Sequence, residues 1–334
     1  MNNDHKKLLS IVIPIYNEEE NIHELWRRLQ EVLNSINYDY EIIFVDDGST
    51  DNSLFLLKEI REKETRVKII SYSRNFSHQI AITGGMEYAS GEAVIVMDGD
   101  LQHPPEILPR LIEKWEEGYE VVSTIRENAN NISLFKKYSA AIFYKLLNAM
   151  SDTKIDPNAP DFRLIDRKAV NTLNTMQERA RFIRGLVNWI GFKQVFIKFT
   201  ADKRYAGNTK YSLKKMNKFA FDGITAFSTA PLHIVTGLGI TATTIPLIYS
   251  IYAIFLRLFT NIAVPGWTSI LVAVVFFGGI QLITIGMIGE YISRIYDEVK
   301  GRPMYIVKET FGFAQYMKRS IINSDESNSY KRLR

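Results

Sequence analysis

The sequence predicts an α/β domain built on a mainly parallel sheet, followed by two long apolar helices. Three observations carry this. Short β-branched runs alternate with helical patterns through the first half of the chain. Acidic clusters stand at the ends of those runs. From Leu232 onward, two stretches long enough to span a bilayer carry almost no charge. With 334 residues there is room for one such domain with a sizeable core, plus an appendage.

Ser10–Ile15 reads as a buried strand, and Asn17 as the cap of a helix opening with Glu18, Glu19 and Glu20, acids well placed against a helix N-terminus. Tyr40–Val45 is the next strand and ends in Asp46-Asp47-Gly48-Ser49, with a helix from Ser53. Val67–Ser71 is a third strand, Gln79–Ala89 a helix, and Ala93–Met97 a fourth strand running into Asp98-Gly99-Asp100. Alternation of this kind argues for parallel strands covered on both faces, with ligands bound outside their carboxyl ends. Tyr16-Asn17-Glu18, Asp46-Asp47 and Asp98/Asp100 are thereby expected on one rim.

Leu232–Leu256 holds no acidic or basic residue except His233, and Val264–Gly289 has no charge. The short link between them predicts a transmembrane hairpin. Lys203, Arg204, Lys210, Lys214, Lys215 and Lys218 precede it, and Arg294, Lys300 and Arg302 follow. Positive flanks on both sides predict a multi-pass protein of the inner (plasma) membrane with both ends cytoplasmic. Leu213, Met216, Ala220, Ile224 and Phe227 fall on one side at helical spacing, as in a helix lying in the headgroup plane. The expected division is 1–212 catalytic domain, 213–230 amphipathic interfacial helix, 231–290 hairpin and 291–334 cytoplasmic C-terminal tail. Met1–Leu9 is polar and reads straight into the first strand, so no cleavable signal peptide is expected.

Some chemistries drop out. The chain has no cysteine, hence no disulfide, thiolate zinc site or cysteine nucleophile. A net charge of +4 is too mild to argue for nucleic acid. No G-x-G-x-x-G follows the first strand and no G-x-x-x-x-G-K-[ST] occurs, so dehydrogenase and P-loop readings lose their main support. Asp98 and Asp100, two apart at a strand end, can converge on a hard divalent cation such as Mg²⁺ or Mn²⁺ bridging a diphosphate. A D-x-D is also the composition of a solvated turn, and its place after a buried strand favours the metal. Asp46 is suited to ribose hydroxyls or a base N–H. His78 and His103 read as a cap-region residue and a loop polar group, and Phe219, Phe221 and Phe227 as lipid-facing or packing side chains.

Ile11-Val-Ile-Pro-Ile-Tyr-Asn-Glu18, Val45-Asp-Asp-Gly-Ser-Thr-Asp51 and Met97-Asp-Gly-Asp-Leu-Gln-His-Pro-Pro105 resemble the inverting family 2 glycosyltransferases of GT-A fold. Arg74-Asn75-Phe76, Asp161-Phe-Arg-Leu164, Arg184-Gly185 and Arg204-Tyr-Ala-Gly-Asn-Thr-Lys210-Tyr211 narrow the likeness. With the hairpin they resemble the polyprenyl-phosphate glycosyltransferases of GtrB type, kin of dolichyl-phosphate mannose synthase. The resemblance implies a UDP-sugar donor, with glucose as the sugar of the nearest type, a polyprenyl phosphate acceptor, a bilayer setting and Mg²⁺ or Mn²⁺. Pro14, Tyr16, Glu18 and Asp46 would then contact the nucleotide. Asp98 would serve nucleotide and metal, with Asp100 and Gln102 completing the metal site. Arg126, Ser139, Arg163, Arg204 and Lys210 would hold acceptor or donor phosphates, and Asp161 matches the family's catalytic aspartate.

One departure is Pro160, where the family often has glycine; proline fixes φ and restricts Ala159. An acceptor phosphate has a second pKa of about 6, so a strong base is not essential. Whether Asp161 is a base or an orienting group stays open, as do the metal and the oligomeric state, a homo-oligomer included. The competing readings are a processive polysaccharide synthase and a catalytically dead membrane scaffold. The first carries Q-x-x-R-W, and Arg181-Phe-Ile-Arg184-Gly185 lacks both its glutamine and its tryptophan. The intact aspartates argue against the second.

Overall fold

The structure, a computed structural model, describes residues 6–127, 159–176, 178–179, 181–201, 230–259 and 266–313. The chain divides into two compact units. The described residues up to Ala201, together with Pro303–Phe313, belong to one; Ala230–Phe259 and Gly266–Arg302 belong to the other.

The first unit is an α/β sheet of eight strands. In chain order it comprises β1 (Leu8–Ile15), α1 (Glu19–Leu33), β2 (Asp39–Asp46), α2 (Ser53–Lys63), β3 (Val67–Tyr72), α3 (His78–Tyr88), β4 (Ala93–Val96) and α4 (Leu108–Glu116). Then follow β5 (Val121–Arg126), β6 (Arg163–Asp166), α5 (Arg167–Thr175), α6 (Ile183–Trp189), β7 (Gln194–Phe199) and, after the helices of the other unit, β8 (Val307–Phe311). The strand order is β7-β5-β6-β4-β1-β2-β3-β8. Strands β4, β1, β2 and β3 form the expected parallel block, and β5 pairs in parallel with β7. The sheet is mixed where β6 runs antiparallel to β4 and β5, and β8 to β3. The central strands are buried along their length because helices cover both faces, so their β-branched runs need not alternate. From α1, Ile22, Leu25, Leu29 and Val32 recur at helical spacing and join this core.

The antiparallel insertion of β6 matters most for function. Its register sets Val96 opposite Arg163. Two residues beyond Val96 is Asp98, and two before Arg163 is Asp161. Because the strands run in opposite senses, the same register carries both aspartates to one rim. Thr124 fixes this approach: its N–H and Oγ1 both donate to the Phe162 carbonyl, at 3.2 and 2.8 Å.

The second unit contains α7 (Ala230–Phe259, 30 residues) and α8 (Trp267–Val299, 33 residues). Four of their threonine hydroxyls are satisfied inside the helix. Thr236 donates to Leu232 O, Thr241 to Gly237 O, Thr244 to Ile240 O and Thr284 to Ile280 O, at 2.8–2.9 Å. Among the described residues one stretch, Phe276–Val299, is long and apolar enough to cross a membrane. It lies further along than the span expected at Val264–Gly289. No breaker follows Gly289, and a Glu290–Arg294 pair at i,i+4 (3.4 Å) helps α8 run on to Val299. The stretch 291–334, expected to be a tail, also contributes β8 to the sheet, where Ser73 N–H meets Ile306 O at 3.0 Å. The interfacial helix expected at 213–230 lies outside the described residues but for its last position.

Candidate active site

The rim is assembled from turns that bind one another. Asn17 has φ +53, and its N–H donates to Ser49 Oγ at 3.0 Å while its Oδ1 accepts from Thr50 N–H at 2.8 Å. It therefore does not cap α1 as the sequence predicts. Asparagine tolerates the left-handed region, and its short amide reaches across to the β2–α2 turn instead. The first donors of α1 are met from that turn: Glu18 N–H by Ser53 Oγ (2.9 Å) and Glu19 N–H by Asp51 Oδ2 (3.2 Å). Pro14 pairs with Val45 at the carboxyl end of β1, and Tyr16 follows Ile15, the partner of Asp46.

The two adjacent acids after β2 divide their work. Asp46 is buried and accepts from Ser49 N–H at 3.0 Å and Ser71 Oγ at 2.9 Å, two bonds for a carboxylate with capacity for about four. Asp47 accepts from Phe76 N–H (2.7 Å) and Ser77 N–H (3.0 Å), so it holds the turn leading into α3. Burial pushes its carboxyl up to about 6, against the pull of those two N–H groups. Gly48, at φ +71, packs against the Arg74 backbone, where a Cβ would stand 2.5 Å from a carbonyl carbon.

Asp98 follows β4 and stands between two histidines. His78 opens α3 and brings Nε2 to 2.7 Å from Asp98 Oδ1. His103 is buried, stacked on Phe162 with ring centroids 5.0 Å apart, and accepts the Asp98 N–H on Nδ1 at 3.0 Å. Its proton therefore sits on Nε2, and burial holds its pKa down. Burial alone would raise Asp98, but the charged His78, which also hydrogen-bonds it, and Arg184 outweigh it and hold the carboxyl far below the usual range. For His78 burial opposes charge, and the Asp98 carboxylate overrides it, raising the imidazole to about 9. Asp100 accepts from Gln102 N–H at 3.1 Å, and Gln102 Oε1 accepts from Arg126 at 3.1 Å. At Gly99 a Cβ would stand 2.5 Å from Ile15 Cδ1, so a side chain there would require that isoleucine tip to move.

Asp161 is 3 % exposed and enclosed by donors. Arg184 gives Nε to Oδ1 (3.1 Å) and NH2 to Oδ2 (3.2 Å), Gln79 gives Nε2 to Oδ2 (2.8 Å), and Arg163 gives NH2 to Oδ1 (3.3 Å). Burial would lift its pKa, but Arg184 and Arg163 prevail and set it at about 2. Burial also lowers Arg163, to about 10, with Asp161 resisting. The Pro160 carbonyl accepts from Arg163 NH2 at 3.0 Å, so the unusual proline sits in a segment that steers this arginine. A small cleft beside the pair is lined by Arg163, Arg184, Asn188, Ser123 and Gln194.

The structure thus brings Asp98, Asp161 and Arg163 to one place, with Asp100, Gln102 and Arg126 chained beside them and Asp46 on the same rim. Ser139, Arg204 and Lys210 lie outside the described residues. Sequence reasoning missed Gln79 and the contacts made by His78, His103 and Arg184. The usable signal for His78 and Gln79 was their place just after a strand end on the same rim, and for Arg184 its part in the Arg184-Gly185 motif.

Comparison with known proteins agrees with this frame. A family model described as Glycosyl transferase family 2 matches residues 10–173. A Bacillus subtilis (strain 168) protein called uncharacterized glycosyltransferase YkcC is 49% identical over 91% of this chain and 94% of its own. The bactoprenol glucosyl transferase of Shigella phage SfII is 38% identical over 90% of this chain and 98% of its own. Among solved structures, S. aureus TarS 1-349 in complex with UDP aligns over 65% of this chain and 64% of its own, with TM-score 0.42 and 16% identity. With its mixed α/β sheet, its rim of aspartates and relatives matched over nine-tenths of its length, the chain belongs to glycosyltransferase family 2 and is a glycosyltransferase of GT-A fold.

Proposed function

We propose that this enzyme transfers one glucose from UDP-glucose to polyprenyl phosphate, with inversion, at the cytoplasmic face of the membrane. The observation that carries this is Asp161, held ionised between Arg163 and Arg184 on the same rim as Asp98. A site built for a hydroxyl acceptor needs a base, whereas this carboxylate, at about 2, is a poor one. A phosphate acceptor brings its own negative charge, and arginines suit it. Relatives named bactoprenol glucosyl transferase support a glucosyl transfer to a polyprenyl acceptor.

In this reading a phosphate oxygen of the acceptor attacks the anomeric carbon from the face opposite UDP. The bond to the diphosphate oxygen breaks, and UDP leaves with the electron pair. Pro14, Tyr16, Glu18, Asp46 and Asp98 hold the nucleotide. Arg126 and Arg163, with Ser139, Arg204 and Lys210, hold phosphates, and Asp161 keeps Arg163 and Arg184 in place. Asp98, Asp100 and Gln102 would hold a divalent cation. Among the described residues no cluster of three or more His, Cys, Asp and Glu forms a closed metal cage. Two carboxylates and an amide oxygen nonetheless fit Mg²⁺ or Mn²⁺, which complete their shells with substrate phosphates and water. When bound, the ion supplies neutralisation of charge on the leaving diphosphate.

For the bilayer, the apolar run Phe276–Val299 of α8 supports one crossing, and the charge-poor Leu232–Leu256 with the cationic residues flanking it in the sequence is read as the other arm of a hairpin with both ends cytoplasmic. The test of function is to incubate purified enzyme with radiolabelled UDP-sugars and a short polyprenyl phosphate. A single-sugar lipid from UDP-glucose is expected; a long polymer or no product would overturn the reading. For topology, a single cysteine placed at Thr260–Ala263 in this cysteine-free chain is expected to react with an impermeant reagent from outside. Protection there would reject the hairpin.

A further inference from the structure

Gln79 connects two parts of the site that are far apart in the chain. It is the second residue of α3 and is half-buried. Its Nε2 donates to Asp161 Oδ2 at 2.8 Å, and its Oε1 accepts from Ile183 N–H, the first residue of α6, at 3.0 Å. These partners leave one orientation for the amide. An ionised carboxylate can only accept, so it must face the NH₂; a backbone N–H can only donate, so it must face the oxygen. Arg184, the next residue of α6, makes the two-pronged contact with the same carboxylate at 3.1 and 3.2 Å. Asp161, Gln79 and the start of α6 therefore form a closed loop of hydrogen bonds. His78, on the same turn of α3, touches Asp98 at 2.7 Å.

We propose that Gln79 is a positioning residue for glycosyl transfer: through its two amide ends it holds Asp161 and the Arg184 turn in one frame, and so fixes where the acceptor's phosphate is presented. This rests on the reading of Asp161 and the arginines as the phosphate-holding part of the site. Gln79 touches no reacting atom. Its effect passes through the direction of the Asp161 carboxylate, which without it could rotate away from the Arg184 fork. Displacements of about 1 Å in such a frame cost on the order of 100-fold in rate.

The test is a double-mutant cycle on the full-length enzyme in detergent, with UDP-glucose and a short polyprenyl phosphate. Gln79→Leu removes both amide ends. Gln79→Glu keeps shape and the acceptor for Ile183 N–H, and replaces the donor to Asp161 by a carboxylate oxygen, which can only accept and, ionised, repels Asp161. Both are expected to lower kcat about 10- to 100-fold with donor KM within about twofold of wild type. In an Asp161→Asn background, Gln79→Leu is expected to add almost nothing, because the group it positions is gone. A full additional loss in that background would overturn the proposal, as would wild-type kcat in Gln79→Glu. If Gln79→Leu fails to fold, Gln79→Glu with and without Asp161→Asn decides alone by the same criteria. Wild-type enzyme run in parallel separates the two readings: no lipid product from it would defeat the acceptor assignment and this inference together, whereas active wild type with Gln79→Glu at wild-type kcat defeats the inference only.

Discussion

Asp98 and Asp161 stand on the same rim, brought there by one antiparallel register, and both are held ionised against burial. Their partners differ. Asp98 is met by two imidazoles, one of them half-exposed His78, and keeps lone pairs for an incoming ligand. Asp161 is met by two guanidiniums and an amide, and its charge is spoken for. His78 is half-exposed and can turn aside for a ligand, whereas Arg163 is buried against its carboxylate. The difference separates a carboxylate that can be handed to a cation from one that organises cations for a substrate.

Asp161 itself aside, the largest expected effect falls on the first kind. Asp100→Asn keeps the shape of the turn and removes one coordinating charge, so the fold is expected to persist while kcat falls roughly 10²–10³-fold. Near-wild-type turnover of Asp100→Asn in the presence of EDTA would break the comparison at its Asp98 side. A smaller effect is expected at Arg184. Lysine keeps the charge but cannot span both oxygens of Asp161, so Arg184→Lys is expected to lose about tenfold in kcat and Arg184→Ala more. Equal rates for the two variants would mean that shape around Asp161, rather than a held carboxylate, is what counts.

The third expectation concerns stability. Asp161 has its folded pKa lowered to about 2 from an ordinary value near 3.9. A depressed carboxylate stabilises the fold above the unfolded pKa, and that contribution is lost as pH falls toward the folded one. The term is roughly 2–3 kcal/mol at neutral pH. In detergent, the Tm gap between wild type and Asp161→Asn is expected to be widest near pH 7 and to close between about pH 4 and pH 2. A gap unchanged over that window would show that Asp161 is not the ion-paired group described.

Much of this was legible in the sequence, and the exceptions have physical causes. The parallel block could be read because buried strands are locally apolar and end in polar turns: Ser10–Ile15 lies within Leu8–Ile15, and Tyr40–Val45 within Asp39–Asp46. Strand β8 could not, since Val307–Phe311 is short, carries Lys308 and Glu309 and is partly exposed at a sheet edge. The end of α8 was set too early because the apolar run ends before the helix does. In the site, Asp161 and Arg163 were found through their motif, but the groups that decide what Asp161 does come from 82 and 23 residues away. No local pattern in the chain announces such pairings. Asn17 misled for a related reason, since its amide bonds across to Thr50 instead of along its own helix.

The central claim is that Asp161 organises cations for an already ionised acceptor and does not take its proton. The pH–rate profile of Asp161→Asn tests it most directly. The account predicts a large but incomplete loss, roughly 10²–10⁴-fold in kcat, with donor KM little changed. The residual rate is predicted to fall below about pH 6 as wild type does, because that limb belongs to the acceptor phosphate. Complete loss at every pH, or a residual rate flat from about pH 5 to 8, would contradict it.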